Sequence, residues 1–130
     1  MRQISLREIR RYVRSLSRTA SDILTGRQWR FARTGSQRTV AILPTRLSVY
    51  QPIQQDEGSD AKRHNISRAA EVIHTVAVQP GEIFSFWSIL GRPTLQRGYR
   101  AGRSLLGGAL VLDEGGGLCQ LAGMLYLLAL

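Results

Sequence analysis

Cys119 is the one cysteine of a 130-residue chain, and it stands between Gly115-Gly116-Gly117-Leu118 and Gln120, at the head of an apolar run. Three consecutive glycines give the backbone access to angles closed to other residues, so successive amides can point into one concave site beside the sulfur. A helix beginning near Cys119 would turn its positive end toward that sulfur and favour thiolate over thiol. A nucleophilic cysteine needs such surroundings, because a free thiol is mostly protonated at neutral pH. The other reading of a lone cysteine is a small buried apolar residue. Residue types leave both readings open. A single cysteine excludes an internal disulfide, and neither His64 nor His74 has a second cysteine or a carboxylate cluster at zinc-finger spacing. No structural metal and no cofactor is expected.

Such a site must be held by a folded domain, and 43% apolar content in 130 residues is enough for one small core. Charge divides the chain. Residues 1–46 hold eleven Arg against Glu8 and Asp22, whereas residues 47–130 balance six Arg and Lys62 against seven acids. Within the basic part, Ile4, Leu6, Ile9, Val13, Leu16, Ala20, Ile23 and Leu24 recur at three- and four-residue steps, the period of an amphipathic helix. Arg7, Arg10, Arg11, Arg14 and Arg18 fill much of its other surface, and Gly26 is a stop signal. A helix of this kind either attaches to an anionic membrane surface through residues 4–24 or packs on the domain with a solvated basic face. Nucleic acid is the less expected partner, since only Trp29 and Phe31 stand among the neighbouring arginines to stack on bases.

The first residues lack the uninterrupted apolar core of a secretory signal, and the run Leu121 to Leu130 is well short of the roughly 20 residues that span a bilayer. The chain is therefore expected in the cytoplasm or peripheral to the inner membrane face, with its last run as a buried helix.

Between arm and cysteine, Thr39 to Leu43 read as a strand ended by Pro44, and Leu47 to Tyr50 as a second strand. Gln51 to Asp60, with Pro52, Gly58 and several acids, read as a loop. The expected organisation is a basic arm over 1–50, a linker over 51–61 and a body over 62–130. Asn65 is placed as the N-cap of a helix over Ile66 to His74, with His74 in its last turn. Val76 to Val78 look extended, Pro80-Gly81 form a turn, and Ile83, Phe84, Phe86 and Trp87 suggest a buried strand. Ser104 to Leu106 and Ala109 to Leu112 flank Gly107-Gly108 at the spacing of a two-residue hairpin. The predicted fold is α+β: a basic N-terminal helical arm, a small mostly antiparallel sheet, and Cys119 at the start of a C-terminal helix. Leu130 arrives inside that helix with no cap, so a truncated reading frame is expected.

Several segments resemble, in order, the VanW family: His64-Asn65-Ile66 with Ala69-Ala70, Pro80-Gly81-Glu82-Ile83-Phe84-Ser85-Phe86, Leu90-Gly91-Arg92-Pro93-Thr94, Gly98-Tyr99, and Gly115 to Gln120 with Leu125-Tyr126. The resemblance covers about residues 62 to 130. It implies a protein of cell-wall metabolism linked to glycopeptide resistance, and for some members an L,D-transpeptidase reaction run by the cysteine. Carried over, Cys119 is the nucleophile on a peptidoglycan stem peptide or precursor, expelling the terminal D-alanine and passing the acyl group to an amine on a second stem. Amides around Gly116, Gly117 and Leu118 would stabilise the oxyanion, Gln120 would orient the substrate, and Arg100, among Arg92, Arg97 and Arg103, would meet a stem carboxylate.

A base is also required. The family's histidine segment lies downstream of the cysteine helix and is not in this chain; His64 is the candidate here, against a surface or capping role. Leu121-Ala122-Gly123-Met124 replace residues that are commonly Ser, Thr or Asn in the family. The chain as it stands is thus expected to be incomplete and inactive. The alternative is a non-catalytic accessory module whose basic arm docks on an anionic membrane or nucleic acid while the cysteine is structural.

Overall fold

The computed structural model describes residues 6–34, 45–106 and 108–130. The expected strand over Thr39 to Leu43 lies outside them. The described chain is of the α+β class and falls into two compact units, one comprising the chain up to Ala32 with Val78–Phe84, the other Arg33–Ala77 with Ser85–Leu130.

The first unit is built on helix α1, Leu6–Leu24. It stops where expected: Gly26 takes a left-handed φ of 67°, its N–H reaches Ile23 O at 3.1 Å, and a 3-10 turn follows over Arg27–Arg30. Phe31 and Ile83 form an isolated bridge, with Ile83 N–H donating to Arg30 O at 2.7 Å and Ala32 N–H to Ile83 O at 3.0 Å. The Pro80-Gly81 turn is closed by Glu82 N–H on Gln79 O at 2.9 Å, and Arg30 Nε donates to Gly81 O at 2.8 Å.

The second unit is organised around α2, Ser59–Ile73. This helix starts seven residues before Ile66, so Asn65 is interior and fully buried rather than an N-cap. The cap position is Gly58, at a φ of 103°, and the chain enters the helix through Ser59 N–H on Asp56 O at 3.0 Å. His74 is the C-cap residue. The expected strand at Leu47 to Tyr50 is not formed, and Tyr50 is exposed.

Ile83 to Trp87 is not a strand either, since Ile83 makes only the bridge and Phe86–Leu90 form a short helix, α3. The cause is periodic: Phe86 and Leu90, four apart, face the core together, while Trp87 points out and meets the Phe86 ring edge-on at 5.0 Å. A 3-10 turn over Leu95–Arg97 leads to β1, Ala101–Leu106, which pairs antiparallel with β2, Ala109–Glu114. Leu106 stands opposite Ala109, the register of a two-residue connection, and Gly108 takes a φ of 82°.

Helix α4, Leu118–Leu128, follows directly. Ala69, Leu90, Tyr99 and Leu118 form the core, with Val72, Ile73, Phe86 and Leu121 packed against it. Full burial of Leu90 and Leu118 contributes about 2 kcal/mol each. The expectation that Leu121 to Leu130 would be buried fails: in α4 only Leu118 is buried, and Tyr126 and Leu127 are exposed. The helix is apolar all round, whereas α2 covers one side of it.

Candidate functional site

Gly115 to Gly117 connect β2 to α4, and the sequence around them explains why all three are glycine. Gly115 and Gly117 take φ values of 78° and 96°, in the region that disfavours side chains. Each also stands where a Cβ has no room. At Gly116 it would lie 2.6 Å from Gly102 Cα, backbone against backbone; at Gly115 it would strike the Pro93 ring at 2.6 Å; at Gly117 it would collide with Lys62 Cγ. The tripeptide is thus a close-packed joint.

Asn65 locks this joint. Its Nδ2 donates to Gly116 O at 3.0 Å and Arg100 O at 2.9 Å, and its Oδ1 accepts Arg100 N–H at 2.8 Å. Two carbonyls and one N–H fix the orientation of the carboxamide. Gly115 N–H adds a bond to Arg100 O at 3.1 Å. One side chain therefore ties α2, the start of β1 and the glycine loop together.

The loop presents Cys119 as the second residue of α4, exposed and free. Of the amides expected to face an oxyanion, Gly116 N–H is turned to Asp113 O at 3.3 Å and Leu118 N–H to Gly115 O at 3.2 Å. The N–H groups of Gly117 and Cys119 have no acceptor among the described residues. Gly117 O receives Gln120 N–H at 3.0 Å. The Gln120 side chain reaches Pro52 O at 3.4 Å.

His64 lies beside Asn65 on α2, in its second turn rather than ahead of it, and its Nε2 meets Gly98 O at 2.8 Å. A carbonyl only accepts, so this contact assigns the proton to Nε2 and leaves Nδ1 as the acceptor of the neutral ring. No hydrogen bond joins His64 to Cys119 among the described residues. The Arg100 backbone is held in the Asn65 lock, while its guanidinium has no ion pair among the described residues. Arg97 donates to Arg92 O at 3.0 Å, and Arg103 pairs with Asp56 at 3.4 Å and Glu57 at 3.7 Å. No group of three metal-ligating side chains is assembled among the described residues.

Three participants were not singled out as site residues from sequence: Asn65, Gly102 and Lys62. Gly102 and Lys62 carry no local signal, because their partners lie far along the chain.

Residues 61–130 match the family model described as VanW like protein. The chain belongs to the VanW family. Asn65, Gly102, the glycine loop and Cys119 all fall inside the matched VanW segment, and α1 falls outside it. The chain is 32% identical over 65 residues to a protein of Enterococcus faecalis (strain ATCC 700802 / V583) named "Vancomycin B-type resistance protein VanW", covering 50% of this chain and 24% of that protein. It is 34% identical over 71 residues to "Uncharacterized protein YoaR" of Bacillus subtilis (strain 168), covering 55% of this chain and 23% of that one. The chain thus spans about a quarter of the length of these curated relatives. No solved structure matches it significantly.

Proposed function

We propose that this chain carries the nucleophile-bearing part of a VanW-type protein of cell-wall metabolism, in which Cys119 performs acyl transfer on peptidoglycan stem peptides. The observation that carries the reading is the presentation of an exposed, free thiol at the head of α4 by a loop fixed on every side. The Enterococcus relative's name places glycopeptide resistance beside the family.

In the reaction, the Cys119 thiolate attacks the carbonyl carbon after the third stem residue. The tetrahedral oxyanion collapses to a thioester and D-alanine leaves as the amine, taking a proton. An amine of a second stem then attacks the thioester, loses its proton, and releases the thiolate. The N–H groups of Gly117 and Cys119 are the donors open to that oxyanion, in place of the amides of Gly116 and Leu118. The Arg100 guanidinium, which has no ion pair among the described residues, is one cation open to a stem carboxylate. His64 Nδ1 is the acceptor this chain offers as base.

A second reading, an accessory module with a structural joint, is favoured by one observation: packing alone requires all three glycines. Mass spectrometry after incubation with a stem tetrapeptide separates the two. An adduct of the tetrapeptide less D-alanine, absent in Cys119→Ser, supports acyl transfer. No adduct on a folded chain leaves the accessory module.

A further inference from the structure

We infer that α1 and the 3-10 turn after it form a docking surface for an anionic phospholipid bilayer, with the helix lying in the headgroup plane. Two observations meet here. First, the apolar row of α1 is uncovered: Val13, Leu16, Ile23 and Leu24 are 57%, 52%, 51% and 86% exposed. At 100° per residue these four occupy one arc of about 100°, the width of an interfacial helix's buried stripe. Second, Arg14 and Arg18 are exposed on the opposite arc, Arg27 and Arg30 are exposed in the following turn, and Trp29 between them is 77% exposed. Tryptophan favours the headgroup level, where its ring is half in hydrocarbon and its N–H still wet.

The occupant is chosen by chemistry. Eleven arginines against two acids over residues 1–46 call for an anion. The same excess repels a second copy of the chain. A nucleic acid would satisfy the arginines and leave the apolar row in water, whereas a bilayer takes up both. A crossing helix is a different object, and no helix among the described residues is long and apolar enough to cross a membrane.

The test is co-sedimentation of the whole chain with vesicles of phosphatidylcholine plus phosphatidylglycerol, against phosphatidylcholine alone. Binding is expected only to the mixed vesicles and falls with added salt. Arg14→Gln with Arg18→Gln weakens it on the order of fivefold per arginine. Leu16→Asp with Ile23→Asp weakens it by about tenfold or more, and Leu16→Gln with Ile23→Gln, which preserves helix propensity, weakens it in the same direction. On binding, tryptophan emission shifts to the blue, and the shift disappears in Trp29→Phe. Equal binding to both vesicle types, or binding indifferent to the Leu16 and Ile23 variants, would overturn the inference. So would capture of single- or double-stranded DNA without vesicle binding, or self-association in place of either.

Discussion

The glycine loop is held from inside by one buried carboxamide and by close packing at all three glycines, whereas α1 turns apolar and cationic side chains alike toward solvent. The contrast separates two ways in which a residue can matter. At the loop, position is over-determined, so a substitution acts first on folding and only then on chemistry. At Val13, Leu16, Ile23 and Leu24 of α1, a substitution touches little that holds the fold, so its effect is read in binding. One chain thus carries a region to be probed by stability and a region to be probed by affinity.

The two tryptophans allow each unit to be followed alone, because Trp29 lies in the first and Trp87 in the second. In a Trp29→Phe background, urea unfolding followed by Trp87 emission should show the largest loss for Gly116→Ala. Its Cβ meets backbone that cannot swing aside, so a cost above about 3 kcal/mol and an expanded second unit are expected. Asn65→Ala comes next. It strands Arg100 N–H and Gly116 O, while Arg100 O keeps the Gly115 N–H, and with about 1 kcal/mol or more for each stranded group the expected loss is roughly 2 kcal/mol. Arg103→Ala removes a half-exposed pair with Asp56 and Glu57, and the midpoint should move by less than about 1 kcal/mol. Smallest is Ile23→Gln, followed through Trp29 in a Trp87→Phe background, with a change within about 0.5 kcal/mol. A large effect there, or a silent Asn65→Ala, would erase the distinction between the two regions.

Much of the frame was legible where the signal is local. Gly107-Gly108 between apolar runs marked the hairpin, three- and four-residue spacing marked α1, and the triple glycine ahead of Leu118 marked the start of α4. Non-local geometry was not. Asn65 reads as an N-cap because asparagine favours that position, yet its partners lie 35 and 51 residues away. Gln51 to Asp60 looks like loop because it is polar and acidic, and α2 begins inside it behind a glycine with no side-chain cap. Phe86 and Trp87 suggest a strand by residue type, and the four-residue spacing of Phe86 and Leu90 decides for a helix. The exposure of Tyr126 and Leu127 follows from which neighbours α4 meets, a fact no window of sequence contains.

The Asn65 lock also has a consequence in time. A carboxamide whose partners are 35 and 51 residues distant can close only after the chain has already brought α2, β1 and the glycine loop together, because each long span must be gathered before any bond rewards it. The thiol-bearing corner is therefore among the last parts to take shape, and Asn65→Ala should hasten unfolding while leaving the refolding rate nearly unchanged in stopped-flow traces. Cys119 is set in its finished surroundings only by completion of the second unit, so the placement of the exposed thiol at the head of α4 is a late product of assembly.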